Sequence, residues 1–539
     1  MTDIGTPADF PLLIKSLLRT PLQIAADVEI VSDGLMRYSY RTFEDRLKRF
    51  AAGLTAQGIG QGDVVAVMDW DTHRYFEAFF AVPMIGAVLH TVNVRLAPAQ
   101  IAYTIDHAED DVILVHTDFL PLLAEVMALV TREVRLILLR DDPAQPPETD
   151  FSFITSYDEI MAAPADDVMF PDFDENSRAT TFYTTGTTGD PKAVAYSHRQ
   201  LVLHTMGVLA GFGPVETSNR LHRGDVYMPI TPMFHVHAWG FPYAATLLGI
   251  KQVYPGRYVP ANLLRLIAEE GATFTHCVPT ILQMLLSAPE ASATDLSRLK
   301  MVIGGSALPE GLAAAALDRG IDIYAGYGLS ETCPVLSFAM LTPGDEDNLA
   351  ARVRTGKPLP LVDLRIVDED MREQPRDGAS TGEVVVRAPW LNAEYLKSPQ
   401  ATEELWRGGM MHTGDVGHID AGGSLQITDR MKDVIKSGGE WVSSLALESL
   451  ASAVGGVAEV AAIGIPDPRW GERPLLLVVA AKGGDHPAVE DAIRAALSDA
   501  VSSGSLSKWA MPEDIRFVDK IAKTSVGKID KKALRAALT

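Results

Sequence analysis

Cysteine is almost missing from this chain: 539 residues hold two, Cys277 and Cys333. A disulfide framework and a cysteine-rich zinc site are thereby excluded, and each thiol reads more readily as a small buried residue than as a nucleophile. Basic charge is also short. There are 47 Lys and Arg against 70 Asp and Glu, a net charge of −23. That argues against a nucleic-acid partner, which needs a basic footprint, but leaves small anions open, because a few lysines can dominate one pocket. Long apolar runs are lacking too. The most apolar window, 76–92, contains Glu77, Pro83 and His90 and falls short of the about 20 residues a bilayer span takes, so no integral membrane segment is expected. The opening MTDIGTPADF has no basic segment leading into an apolar run; no secretory signal is expected, and a reduced, cytoplasmic setting fits. We find no internal repeat and no low-complexity tract.

What remains is an ordinary globular composition, 47% hydrophobic and 22% charged, long enough for roughly two to four structural units. Thr42 with Asp45 fits a capping box ahead of Phe43, Leu47, Phe50 and Leu54, which share a helical face. Buried-strand patterns follow at 64–68, 112–115 and 134–139, with helical patterns between them, which argues for α/β layers. A looser Asp/Pro-rich stretch, 141–176, reads as surface connection. Alternation resumes with strands at 251–254, 273–278, 301–303 and 321–324, helices at 261–270 and 279–286, and a helix from Pro309 with proline in its first turn. From about 350 short alternating runs, 362–367 and 383–387, and a turn at 420–423 read as antiparallel strands. A small mixed unit follows from about 433, with strands at 433–436 and 475–479 and helices near 443–452 and 487–502.

One stretch dominates the chemistry: Tyr183-Thr184-Thr185-Gly186-Thr187-Thr188-Gly189-Asp190-Pro191-Lys192. Glycine lets backbone N–H groups close around a ligand, threonines add donors, and Lys192 adds charge, a composition suited to a polyphosphate. It is not a Walker A loop, because Gly186 and Gly189 are three apart and Pro191 precedes Lys192. Gly527-Lys528 also fails that pattern, being followed by Ile529 with Ala522 at the first glycine position. The bland alternative is a Thr/Gly surface turn.

The stretch resembles the phosphate-binding signature of the AMP-forming acyl-CoA synthetases, the adenylating superfamily that includes luciferases and peptide-synthetase adenylation domains. Five further segments match that family in its order. The resemblance implies that Gly304-Gly305-Ser306-Ala307-Leu308-Pro309 lines the adenine. In Tyr327-Gly328-Leu329-Ser330-Glu331-Thr332 it implies that Tyr327 stacks on adenine, Ser330 and Thr332 contact phosphate, and Glu331 holds Mg²⁺. In Thr413-Gly414-Asp415 it gives Asp415 both ribose hydroxyls. In the run Asp429–Trp441 it sets Arg430 on ribose or phosphate oxygens, with Lys436, Gly438, Gly439 and Trp441 also near the ligand, and makes Lys432 the hinge. Lys528, in Lys523-Thr524-Ser525-Val526-Gly527-Lys528, matches the catalytic lysine; the family usually has proline where this chain has Ala522. Read alone, Glu331 could be a solvated loop carboxylate, Asp415 a turn residue and the C-terminal segment a solvated basic tail.

The family's architecture is α/β: a large N-terminal domain of two α/β subdomains and a β-barrel-like subdomain (1–429), a hinge (430–432), and a small mobile α+β domain (433–539). Its activity joins a carboxylic acid to CoA with ATP and Mg²⁺, through acyl-AMP. Pro232-Met233-Phe234-His235-Val236-His237-Ala238-Trp239-Gly240 resembles the fatty-acyl branch, where the residue at Trp239 lines or gates the acyl tunnel and that at His235 flanks the site; the resemblance counts Gly304 in the same substrate pocket. Core packing is the alternative for Trp239. Tyr327–Pro334 and Lys436–Ser444 resemble medium-chain fatty acid ligases and, more closely, 3-methylmercaptopropionate-CoA ligases, and fatty-acyl relatives suggest a homodimer. Rival expectations are another acceptor, such as oxygen or a carrier protein, and a non-catalytic nucleotide-binding homologue; no carrier domain follows in this sequence, and Glu331 and Lys528 are both present.

Overall fold

The computed structural model describes residues 10–538 except 163, 165–167, 185–189, 218–219, 439, 482, 484, 505 and 525–526, and the backbone alone of Trp441. The strand Val64–Met68 is buried along its whole length, as an apolar run covered on both faces should be. It lies inside a seven-stranded sheet whose order is Thr155–Ser156, Arg135–Leu139, Val112–His116, Val64–Met68, Val88–Thr91, Arg178–Thr184 and Lys192–Ser197. All neighbours pair in parallel except the last two, which form an antiparallel hairpin.

A nine-stranded sheet stands beside it. Its central strands Lys251–Tyr254, Val226–Tyr227, Phe274–Cys277, Lys300–Ile303 and Asp322–Gly328 run parallel. The chain starts in this sheet, with Glu29–Ser32 and Met36–Ser39, builds the other one, and then returns. One core of buried side chains, including Phe43, Phe76, Tyr254 and Phe338, runs between the two. The third sheet is antiparallel: Asp363–Val367, Gly382–Arg387, Met411–Ile419 and Leu425–Arg430. The expected barrel-like unit is this open sheet; among the described residues its edge strands do not close on each other. The fourth sheet, Glu440–Val442, Ile435–Ser437, Gly471–Ala480 and Val457–Asp467 with Asp514–Phe517 alongside, carries the helices Ser444–Ser452 and His486–Ser502 and has its own core.

Several local expectations shift. The helix Tyr40–Ala56 buries Phe43, Leu47, Phe50 and Leu54, but its N-cap is Ser39, which accepts the Thr42 N–H. Pairing of Met36–Ser39 with Glu29–Ser32 ends the strand at Ser39 and lets the helix begin there. Pro309 is the extended residue before the helix Glu310–Leu317 rather than a member of its first turn. The connection at 141–176 contains a short strand and the helix Tyr157–Ala162, which seats the buried Tyr157 hydroxyl on the Glu77 carboxylate. The strand expected at 433–436 is Ile435–Ser437, because the Arg430 carbonyl accepts from the Asp433 and Val434 N–H groups and makes a turn first.

Candidate active site

The Thr/Gly stretch falls in sequence between the antiparallel strands Arg178–Thr184 and Lys192–Ser197, in which Thr184 faces Lys192 in register. Thr185, Gly186, Thr187, Thr188 and Gly189 lie outside the described residues. Lys192 sits where the second strand begins, with its Nζ 4.8 Å from the centre of the Tyr395 ring. The Tyr395 hydroxyl donates to Glu331 Oε1 at 2.6 Å, and the Glu331 carbonyl accepts the Asn392 N–H at 2.8 Å. The segment 390–395 therefore ties the lysine to the carboxylate. No motif marked it; two aromatics and an asparagine in a loop were the only signal.

Gly305 adopts φ +77°, and a Cβ there would lie 3.0 Å from Lys528 Cε. Opposite, Asp415 is 3% exposed; its Oδ2 accepts from the Tyr327 hydroxyl at 2.7 Å and its Oδ1 pairs with Arg430 Nε at 3.2 Å. Burial and then the Asp415 charge push the Tyr327 phenol up, so it remains a donor. Each carboxylate oxygen has a further lone pair, which leaves acceptors for a diol.

Lys528 comes from the far end of the chain. Thr280 Oγ1 donates to the Gly527 carbonyl at 3.0 Å and docks the loop on the nine-stranded unit. The Asp530 N–H donates to the Ala522 carbonyl at 2.9 Å, and Lys523 bridges to Ile529, so the loop is closed without the family's proline. Burial first, then the Arg430 charge, lower the Lys528 ammonium to about 8, while Asp415 and Glu331 pull it up.

These groups border a cleft of about 1190 Å³, lined on one side by Gly305, Ser306, Ala307, Tyr327, Gly328, Asp415 and Arg430 and on the other by Ser443, Glu448 and Lys528. A smaller cavity of about 40 Å³ adjoins it, bounded by His235, Trp239, Gly304, Gly305, Ser330, Phe338 and Lys528. Asp71 accepts the Met233 N–H, and Thr91 Oγ1 donates to the Phe234 carbonyl at 3.0 Å, pinning the start of the acid-side segment. From Val236 to Trp239 the backbone turns left-handed, with φ of 49°, 56°, 47° and 59°, a conformation costing roughly 1–2 kcal/mol per residue without glycine. Trp239 is 6% exposed; its ring lies 5.0 Å from that of the buried His276 and against Gly304. Burial, then Lys528 and Arg95, hold the His235 imidazole down to about 3, so it is neutral. Asp71, Thr91, His276 and Tyr395 are the residues that sequence reasoning missed.

Not every expected residue joins them. Thr332 is fully buried, and its hydroxyl accepts the Leu329 N–H at 2.9 Å and donates to the Pro334 carbonyl. There it closes its own turn, while Ser330 lines the small cavity. Lys432 and Lys436 are exposed, and neither they nor Gly438 line the cleft. Gly438 instead packs under Trp509, where a Cβ would come within 2.6 Å of the indole. Gly439 and the Trp441 side chain lie outside the described residues. Among the described residues no three His, Cys, Asp or Glu side chains gather as a metal site, and no helix is long and apolar enough to cross a membrane.

Comparison with known proteins agrees with this geometry. Residues 19–396 match the model of the AMP-binding enzymes, and 446–528 match that of the AMP-binding enzyme C-terminal domain. A long-chain-fatty-acid–CoA ligase of Thermus thermophilus is 41% identical over 93% of this chain and 90% of its own. A 3-methylmercaptopropionyl-CoA ligase of Ruegeria lacuscaerulensis is 36% identical over 99% and 98%. Among solved structures, an anthranilate CoA ligase in complex with anthranoyl-AMP superposes with a TM-score of 0.86 over 99% of both chains at 22% identity, a likeness of fold.

Proposed function

Because the chain belongs to the AMP-binding enzymes, we propose that it is an acid–thiol ligase that converts a carboxylic acid, ATP and CoA into acyl-CoA, AMP and pyrophosphate. The observation that carries this reading is Lys528, brought from the C-terminal unit into a half-buried position beside Gly305 and within the field of the Asp415 and Glu331 charges.

In the first half-reaction the acid's carboxylate attacks the α-phosphorus of ATP. A carbonyl–oxygen–phosphorus link forms and the bond to pyrophosphate breaks. Such transfers depend on position and charge neutralisation more than on covalent help. Asp415 and Arg430 hold the ribose side, Tyr327 and Gly305–Ala307 the base, and the Thr184–Gly189 loop and Ser330 the phosphates. Lys192 and Lys528 offset the charge that builds on phosphate and carboxylate oxygens. The Glu331 carboxylate suits Mg²⁺, which takes one or two carboxylates and otherwise phosphate and water: Tyr395 donates to Oε1, and among the described residues no hydrogen bond reaches Oε2. Bound there, the ion would neutralise phosphate charge.

In the second half-reaction the CoA sulfur attacks the acyl carbon and AMP leaves. Residues 1–429 form the adenylating domain, 430–432 the hinge, and 433–539 the mobile domain. That division is supported by the third sheet's end at Arg430 and the fourth sheet's start at Ile435, with one turn between. Rotation about Lys432 withdraws Lys528 and brings Lys436, Gly438, Gly439 and Trp441 to the acyl-adenylate.

For the acid we favour 3-methylmercaptopropionate, with a medium-chain fatty acid second. The strained turn under Trp239 supports a binding role for that indole, since such strain collects at functional sites. A cavity of about 40 Å³ behind His235 supports a small tail. Both cysteines are free and buried, which supports the cytoplasmic setting we include with a homodimer; sedimentation would check the latter. The direct test is ATP–pyrophosphate exchange with butyrate, hexanoate, octanoate, palmitate, 3-methylmercaptopropionate and benzoate, each repeated with CoA. Exchange with one or two acids plus thioester is expected. Exchange without thioester would move the acceptor elsewhere, and silence from protein that binds ATP would favour the non-catalytic homologue.

A further inference from the structure

Asp429 is the last residue but one of the strand Leu425–Arg430, in the third sheet, and is 2% exposed. Its carboxylate reaches across the turn 431–434 into the small unit. It accepts the Ser444 N–H and, at 3.0 Å, the Ser444 hydroxyl. That hydroxyl in turn accepts from Lys531 Nζ at 2.6 Å. Lys531 pairs with Glu448 at 2.7 Å, and Glu448 Oε1 also accepts the Ala462 N–H at 2.8 Å. Next to Asp429, the Thr428 carbonyl accepts the Ser443 hydroxyl.

The direction in which this network points is what matters. Lys531 opens the helix Lys531–Ala536, three residues beyond Lys528. The far end of the same helix is held by Arg535, paired with Asp433 at 2.9 Å. The loop that carries Lys528 is thus joined to a rod held at one end by Ser444, which Asp429 grips, and at the other by Asp433, just past the proposed hinge. A buried carboxylate needs its donors, because losing them leaves it desolvated and unpaired. Turning the small unit away would strip Asp429 of both Ser444 donors together.

We propose that Asp429 is a positioning residue for Lys528: through Ser444 and Lys531 it holds the small unit in the orientation that places the ammonium in the adenylating site. The role rests on the ligase reading above and extends it to a carboxylate at the border of the cleft whose donors come from the small unit.

The test uses full-length wild type, Asp429→Asn, Asp429→Ala and Ser444→Ala, the last removing one link while leaving the Asp429 charge. Hydrogen-exchange mass spectrometry without substrates comes first. Segments 425–446 and 523–536 are expected to be protected in wild type and to exchange at least about tenfold faster in the Asp429 variants, with the two parallel sheets unchanged. Acid-dependent ATP–pyrophosphate exchange should then fall about tenfold or more in kcat with the KM for ATP within about twofold, the loss expected for hydrogen bonds to a buried charge. Thioester formation from synthetic acyl-AMP and CoA should not slow. Unchanged protection and unchanged exchange in the variants would overturn the role. So would an equal fall of both half-reactions with a lowered Tm, which would make Asp429 a general structural residue. A wild type silent with every acid would instead overturn the ligase reading itself, and this role with it.

Discussion

The Tyr395 hydroxyl donates to Glu331 Oε1 at 2.6 Å across 64 positions of chain. The ring of the same tyrosine lies under Lys192, so one side chain sets both the proposed magnesium ligand and the phosphate lysine. Tyr395→Phe keeps the ring and removes the donor. A hydrogen bond to a charged group contributes about 1.5–3 kcal/mol, so kcat/KM for ATP should fall roughly tenfold. Raising Mg²⁺ should recover part of the loss if Glu331 holds the ion. Steady-state kinetics at two Mg²⁺ concentrations checks this, and an unchanged Mg²⁺ dependence would leave Tyr395 as a packing residue.

Lys528 gives a pH signature. Burial lowers it to about 8 from 10.5. The free enzyme therefore loses this charge as pH rises through about 8, and kcat/KM for ATP, which reports free-enzyme groups, should decline above that pH. The stability term has the opposite sign. Between about 8 and 10.5 the unfolded chain holds a proton that the folded chain lacks, so this group's contribution to stability rises with pH there. Lys528→Ala should cost about 10²–10³ in adenylation, the scale of one lost transition-state donor, with ATP binding largely retained. Lys528→Arg should move the alkaline decline out of range, because a guanidinium stays charged. A decline at the same pH in Lys528→Arg would assign it to another group.

How much of this could be read beforehand depended on distance along the chain. Val64–Met68 and Met301-Val302-Ile303 are buried on both faces, and so read directly as apolar runs. The Thr/Gly stretch declared an anion loop by composition, yet not that antiparallel strands flank it, since the partner strand Lys192–Ser197 carries no separate pattern. The weave of Glu29–Ser39 into the second sheet was hidden, because its partner strand Lys251–Tyr254 lies more than 200 positions away. Tyr395, Asp71, His276 and Asp429 act through contacts of that kind. Thr332 sits inside a legible motif, yet the bond by which its hydroxyl closes its own turn left no mark in the pattern.

Gly328 stands between Tyr327 and the turn that presents Glu331. A Cβ there would meet the Pro334 carbonyl oxygen at 1.8 Å. That atom belongs to backbone and cannot swing aside, so Gly328→Ala should exceed the usual overpacking cost and lose about 3 kcal/mol or more. Denaturant unfolding measures the loss. ATP affinity should fall in the same variant, since Tyr327 and Glu331 sit on either side of the displaced backbone. A variant with normal stability and normal ATP binding would show that the strand Asp322–Gly328 and the turn after it can part without consequence.

Trp239 bears on the acid alone. Its indole closes the cavity between His235 and Gly304 and leans on His276. Trp239→Ala removes the wall without touching Asp415, Glu331 or Lys528. Activity with octanoate and palmitate should therefore rise relative to butyrate and 3-methylmercaptopropionate, while the KM for ATP stays within about twofold, because one or two methylenes in an apolar pocket are worth only about 1–3 kcal/mol of discrimination. Gly304→Val should act in the opposite sense. The Cβ position already lies 3.1 Å from the indole and from the Gly326 carbonyl, so a branched side chain shortens the space further and should leave only the smallest acids. Opposite shifts in the two variants would assign the tail to this cavity. If the acid profile is the same in both, Trp239 is a core residue and the tail is bound elsewhere.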